Sequence, residues 1–188
     1  MIRWLLLLLL AVAPGFAVDL PQMERDLDGI ARVATAMVDG DVCQRILTQR
    51  ALEHIMRRDE RDQYASGDNY DVDDQSFIAT KKTLMRLATL AEYPVDVNLW
   101  MPLDQDWKRG HIAIRNRYEM SQFWEWGKIE QPMFPPMRSV LETGKRLTVK
   151  QKGSYVSVLA PVRNSLGDVV GLVEVVSQAR FDARKNVK

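Results

Sequence analysis

Between Arg115 and Trp126 the sequence crowds two guanidinium groups, Arg115 and Arg117, beside three large aromatics, Tyr118, Trp124 and Trp126. Arginine grips a carboxylate with two parallel hydrogen bonds, and aromatic rings wall a pocket or stack on a planar ligand. The same residue types also serve a plain structural end, because a small domain needs its tryptophans for core and most arginines face water. Three further residues belong with this group. Trp100 shares the more polar side of an alternating segment with Asn98, and Tyr155 shares a side with Ser157. Glu174 stands between Val173 and Val175, where a carboxylate must be exposed or partnered. Either it faces solvent at a sheet margin, or it answers an arginine or a ligand.

Other chemistries find no support in the residues. His54 and His111 are the only two histidines and Cys43 the single cysteine, so a metal-ligand pattern is missing and no intramolecular disulfide can form. Cys43 sits among Val42 and Ile46 and reads as a buried, inert thiol. The chain contains no Gly-x-Ser-x-Gly and no His-Glu-x-x-His, and Gly144-Lys145 lacks the earlier glycine of a phosphate loop. No catalytic residue, metal or cofactor is expected. The acidic stretch from Asp68 to Asp74 does not fit a calcium loop, whose sixth position should be glycine and is here Asp73.

The elements that would position these residues follow from periodicity. Residues 1–17 read as a cleavable signal peptide: Arg3 is the single charge, six consecutive leucines follow, and Gly15-Phe16-Ala17 offers small residues for cleavage. The apolar run is shorter than the roughly 20 residues a membrane span needs. The expected location is periplasmic, as a single domain over 18–188 with no membrane span after cleavage. Without Arg3, the 26 basic residues become 25, equal to the 25 acidic ones, and a neutral chain is a poor partner for nucleic acid.

A helical stripe runs from Leu20 through Leu27, Ile30, Ala34 and Val38, and resumes with Val42, Ile46 and Leu52 towards Tyr64. Asp39-Gly40-Asp41 is either a kink or a break, and one long helix with a soft point is the preferred reading. A second helix is expected from about Gln75 to Glu92, which makes 20–92 the helical part. From Pro94 the period changes to two. Val95, Val97, Leu99, Met101 and Leu103 alternate with Asp96, Asn98 and Trp100, which predicts a strand with one buried face. A second strand covers 111–115, with Ile112 and Ile114 on one side. After an irregular aromatic stretch, Pro135 and Gly144 bracket a helix. Strands over 147–151, 155–163 and 169–177 complete a sheet part spanning about 95–177. The last two should form a hairpin through Asn164–Asp168, with Val158 opposite Glu174 and Tyr155 opposite Ser177.

The order of elements, the hairpin Leu159-Ala160-Pro161-Val162-Arg163 and Val169-Val170-Gly171-Leu172-Val173, and the helix end Leu141-Glu142-Thr143-Gly144-Lys145 resemble extracytoplasmic PAS-like sensor domains of the Cache type. The resemblance implies an α+β fold in which a long N-terminal helix packs on a five-stranded antiparallel sheet. It also implies a small-molecule pocket on one sheet face, roofed by the insert that contains Arg115, Arg117, Tyr118, Trp124 and Trp126. Trp100, Tyr155 and Glu174 would join it from the strands. The amino-acid-binding pattern of that family is not matched, since its strand aspartate falls at Val176. The expected function is therefore a ligand-binding sensor module for a small organic anion, signalling through a membrane-bound sensor kinase or chemoreceptor. The alternative is an interaction module of the same fold without a ligand.

Overall fold

The computed structural model describes residues 19–56, 74–125, 128, 130–150 and 155–179. The signal-peptide segment, the acidic loop 66–73 and Trp126 lie outside these residues. Among the described residues the architecture is α+β: five helices and a curled antiparallel sheet of six strands, rather than the five expected. The helices are α1 (Leu20–Met37), α2 (Gly40–Ile46), α3 (Gln49–Met56), α4 (Asp74–Ala88) and α5 (Pro135–Thr143). The strands are β1 (Asp96–Pro102), β2 (Arg109–Ile114), β3 (Gln131–Pro132), β4 (Leu147–Lys150), β5 (Tyr155–Arg163) and β6 (Val169–Gln178). Their order across the sheet is β3-β2-β1-β6-β5-β4. The additional strand is the two-residue β3, which pairs Gln131 with Gly110 and Pro132 with Arg109. So short a pairing leaves no periodic signal to read.

The long N-terminal helix is in fact interrupted. Val38 is extended, and the Asp39 side chain accepts hydrogen bonds from the amides of Asp41 and Val42, capping a new helix. The reason for a break lies far away in sequence. A Cβ on Gly40 would stand 2.3 Å from the carbonyl oxygen of Arg163, so only glycine lets the chain turn against the end of β5. A second break follows at Leu47, and Thr48 Oγ1 accepts from the Ala51 amide at the start of α3. α4 also ends earlier than the apolar pattern suggested, at Ala88.

The final hairpin forms as expected, with Gly167 in the left-handed region at φ 88°. Its register corrects the sequence reading by one residue. Arg163 pairs with Val169 as expected from the turn, but an irregularity between Val162 and Arg163 shifts everything beyond it. Val158 therefore faces Val175, Tyr155 faces Gln178, and Glu174 lies opposite Leu159. A second irregularity separates Leu99 from Trp100. It places Ile112 beside Trp100 but Ile114 beside Leu99, so the two isoleucines join different clusters instead of sharing a side.

β1 is buried on both sides, not one. One face of the sheet carries Val97, Leu99, Val158, Ala160, Val173 and Val175 into a cluster with α1 to α4. The other carries Trp100, Ile112, Leu159 and Leu172 into a cluster with α5 and the β2–β3 connection. Cys43 is buried in the first cluster, and burial pushes its thiol up to about 12.

Candidate functional site

The connection from Arg115 to Glu130 crosses the second face of the sheet without regular structure in its described part. An irregular chain brings backbone N–H groups with no internal partner, and burying them requires acceptors. The strands supply three. Asp96 on β1 accepts from the amides of Tyr118, at 3.1 Å to each oxygen, and Met120, at 2.8 Å. These two amides converge because Glu119 between them has φ 54°, a left-handed conformation rare for glutamate. Asn98, two residues along β1 and so on the same face, donates to the Met120 carbonyl at 2.7 Å and accepts from the Asn116 amide at 3.1 Å.

Glu174 sits opposite Asn98 on β6 and is the third anchor. It is fully buried and accepts four hydrogen bonds. Oε1 receives the Gln122 amide at 2.9 Å and Ser157 Oγ at 2.8 Å. Oε2 receives Trp100 Nε1 at 3.1 Å and Ser121 Oγ at 2.5 Å. The Gln122 side chain continues the network, donating to Ser157 Oγ and to the Val149 carbonyl on β4, while its buried Oε1 has no hydrogen-bond partner. Glu174 therefore neither faces solvent nor bonds an arginine. Its partners are two serines, an indole and a backbone amide of the insert itself.

The two carboxylates are electrostatically unusual. Burial pushes Asp96 up to about 6 from 3.8, and the charge of Glu174 adds to the rise. The Met120 and Tyr118 amides and the Lys81 ammonium oppose it. Glu174 is also raised, first by burial, against the four hydrogen bonds that favour its ionised form. Lys81 on α4 reaches across to donate to the Arg115 carbonyl.

The remaining sequence candidates divide into separate groups. Trp100 is fully buried and meets Glu174. Arg115 lies over the half-buried Trp124 ring at 4.4 Å and bonds Glu119 at 3.5 Å. Arg117 is exposed, 5.6 Å from the centre of the Tyr118 ring. Neither guanidinium bonds Glu174. Tyr155 stands at the beginning of β5, half-buried. Asp96, Ser121, Gln122 and Ser157 were missed by sequence reasoning. Asp96 and Asn98 did carry a signal, as polar residues two apart in an otherwise apolar strand.

The chain matches no known family model. No curated protein sequence matches it either. Among the described residues no helix is long and apolar enough to cross a membrane, and no cluster of His, Cys, Asp and Glu is placed to hold a metal ion.

Proposed function

We propose that this chain is a PAS-like interaction module acting outside the cytoplasm, which signals by contacting a partner protein such as a membrane-bound sensor, without a ligand beneath its insert. The observation that carries this reading is the occupancy of the sheet face by the protein itself: Ser121 and Gln122 are bonded to Glu174. A small organic anion entering there would meet two buried carboxylates, Asp96 and Glu174, and would have to displace hydrogen bonds already made. The guanidinium groups that would have received it are engaged elsewhere, Arg115 over Trp124 and Arg117 beside Tyr118. The N-terminal helix, the antiparallel sheet, the insert over one face and the closing hairpin support the Cache-type resemblance. The leader sequence supports export.

Thermal unfolding of the chain against carboxylates, amino acids, purines and polyamines tests the reading. A ligand at about 100 times its dissociation constant adds roughly 2.7 kcal/mol, a rise of several degrees for a domain of this size. A flat response is expected throughout. A reproducible rise with any carboxylate, abolished in Arg115→Ala without loss of basal stability, would restore the ligand-binding sensor.

A further inference from the structure

Away from the insert, α1 and the turn from α5 into β4 enclose an open groove of about 390 Å³. Its α1 wall presents Asp28 and Thr35, and its opposite wall presents Gly144, Lys145 and Arg146, with Pro161 and Arg163 from β5. The strand and the helix run alongside each other in opposite directions, fixed by two ion pairs. Arg146 forks onto Asp28 at 2.9 and 3.4 Å, and Lys150 reaches Glu24 at 2.5 Å. Asp28, the one carboxylate lining the groove, is thereby neutralised.

The other cations are not. Among the described residues no ion pair includes Lys145, Arg163 or Arg32. Arg32 is exposed on α1, four residues after Asp28 and three before Thr35, so it shares their stripe. Arg163 is held rigid: Nη1 donates to the Gly167 carbonyl at 2.7 Å and Nη2 to the Gly144 carbonyl at 3.1 Å. A guanidinium pinned by backbone carbonyls keeps its charge and has little freedom left to lose on binding.

The lining decides what kind of anion fits. Pockets for free small molecules are walled by apolar and aromatic side chains that bury most of the ligand. Here no aromatic residue lines the groove, and apart from Gly144 and Pro161 every lining residue carries a charged or hydroxyl side chain. The surroundings look instead like a protein interface, with exposed Leu147 on β4 directly after Arg146. From this charge complementarity we infer that the groove between α1 and the α5–β4 turn docks an acidic segment of a partner protein, whose carboxylates meet Lys145, Arg163 and Arg32. The inference rests on the interaction-module reading and gives it a surface and a partner chemistry.

The test is an NMR titration of the isotope-labelled chain with an octapeptide of alternating glutamate and leucine. Its lysine–leucine counterpart, succinate and inorganic phosphate are titrated in parallel. The acidic peptide should perturb the amides of Gly144 to Leu147 and of Arg32 to Thr35, and its lysine counterpart should not. In the double variant Arg32→Glu, Lys145→Glu, both at exposed positions, affinity should fall by at least about tenfold with melting temperature unchanged. Unaltered affinity in that variant overturns the inference, as does a response confined to the exposed α4 face around Ile78 and Met85, which would leave the interaction-module reading standing. Equal affinity for succinate or phosphate in the groove also overturns it, making the site one for free anions. A succinate response at the Trp100 indole would overturn the interaction-module reading itself.

Discussion

The two faces of this sheet solve the same problem with opposite materials. Under α1 to α4 the strands present valine, leucine and alanine. Under the insert they present Trp100 and Leu172 together with Asp96, Asn98 and Glu174, all buried. The difference follows from what lies on top. A helix bonds its own backbone, so an apolar face beneath it leaves nothing unsatisfied. An irregular connection has no such economy, and its amides at 116, 118, 120 and 122 find acceptors only because the sheet offers them. Buried polar residues here are thus the counterpart of irregular backbone, and they hold one conformation of the insert where apolar contacts would permit many.

The comparison breaks first, and most, at Glu174. Glu174→Ala strips the acceptor from four donors, and chemical denaturation should register a loss of about 3–5 kcal/mol. Hydrogen exchange should localise the damage to the Gln122 amide and the Trp100 indole. A loss below about 1 kcal/mol would mean that the polar face anchors nothing. On the apolar face, Leu99→Ala should cost about 2–4 kcal/mol through the cavity it leaves. That loss should be the same from pH 4 to 7, and should leave the exchange of Gln122 unchanged.

Asp96 sharpens the contrast through pH. Its folded carboxyl sits near 6, above its ordinary 3.8, so the folded protein binds this proton more tightly than the unfolded chain does. Its favourable contribution is complete below about 3.8 and declines as pH rises to about 6, by at most about 3 kcal/mol. Asp96→Asn removes the titration and keeps an acceptor for the Tyr118 and Met120 amides. The variant's stability profile should therefore be flatter between pH 4 and 7 than the parent's; superimposable profiles would deny Asp96 the raised value. Glu119 carries the smallest effect. Glycine adopts its positive φ freely, so Glu119→Gly should be neutral or stabilising by up to about 1 kcal/mol, offset in part by the looser unfolded chain. A loss above 1 kcal/mol would show that the Glu119 side chain, not its backbone, matters.

Legibility in the sequence followed the range of the interactions. The Asn164–Asp168 hairpin, the Pro135–Gly144 helix and the antiparallel α+β class rest on local turn and capping chemistry and could be read directly. The helix break at Val38 could not be decided locally, because it depends on Gly40 meeting the Arg163 carbonyl, 123 residues away. The one-residue shift beyond Val162 and the parting of Ile112 from Ile114 come from bulges, which leave period-two patterns intact on either side. The site was half legible. Glu174 was visible as a carboxylate in need of partners, and Trp100 as its neighbour in kind. That the polar side of β1 faces buried chain instead of water is invisible to a pattern of alternation, since Asp96 and Asn98 suit either surrounding.

The position of β6 in the sheet governs the order in which this protein can acquire structure. Among the described strands, β1 and β2 form one hairpin and β4 and β5 another, and the two meet only through β6, the last of them in chain order, which lies between β1 and β5. A nascent chain that has emerged as far as Arg163 therefore holds two separate ribbons with no centre, β4-β5 and a β1-β2 pair extended only by the two-residue β3, and such small ribbons are marginal in water. Cooperative folding has to wait for residues 169–178, whose pairing with β1 closes separations of 72 to 80 residues and so makes the final step a slow one.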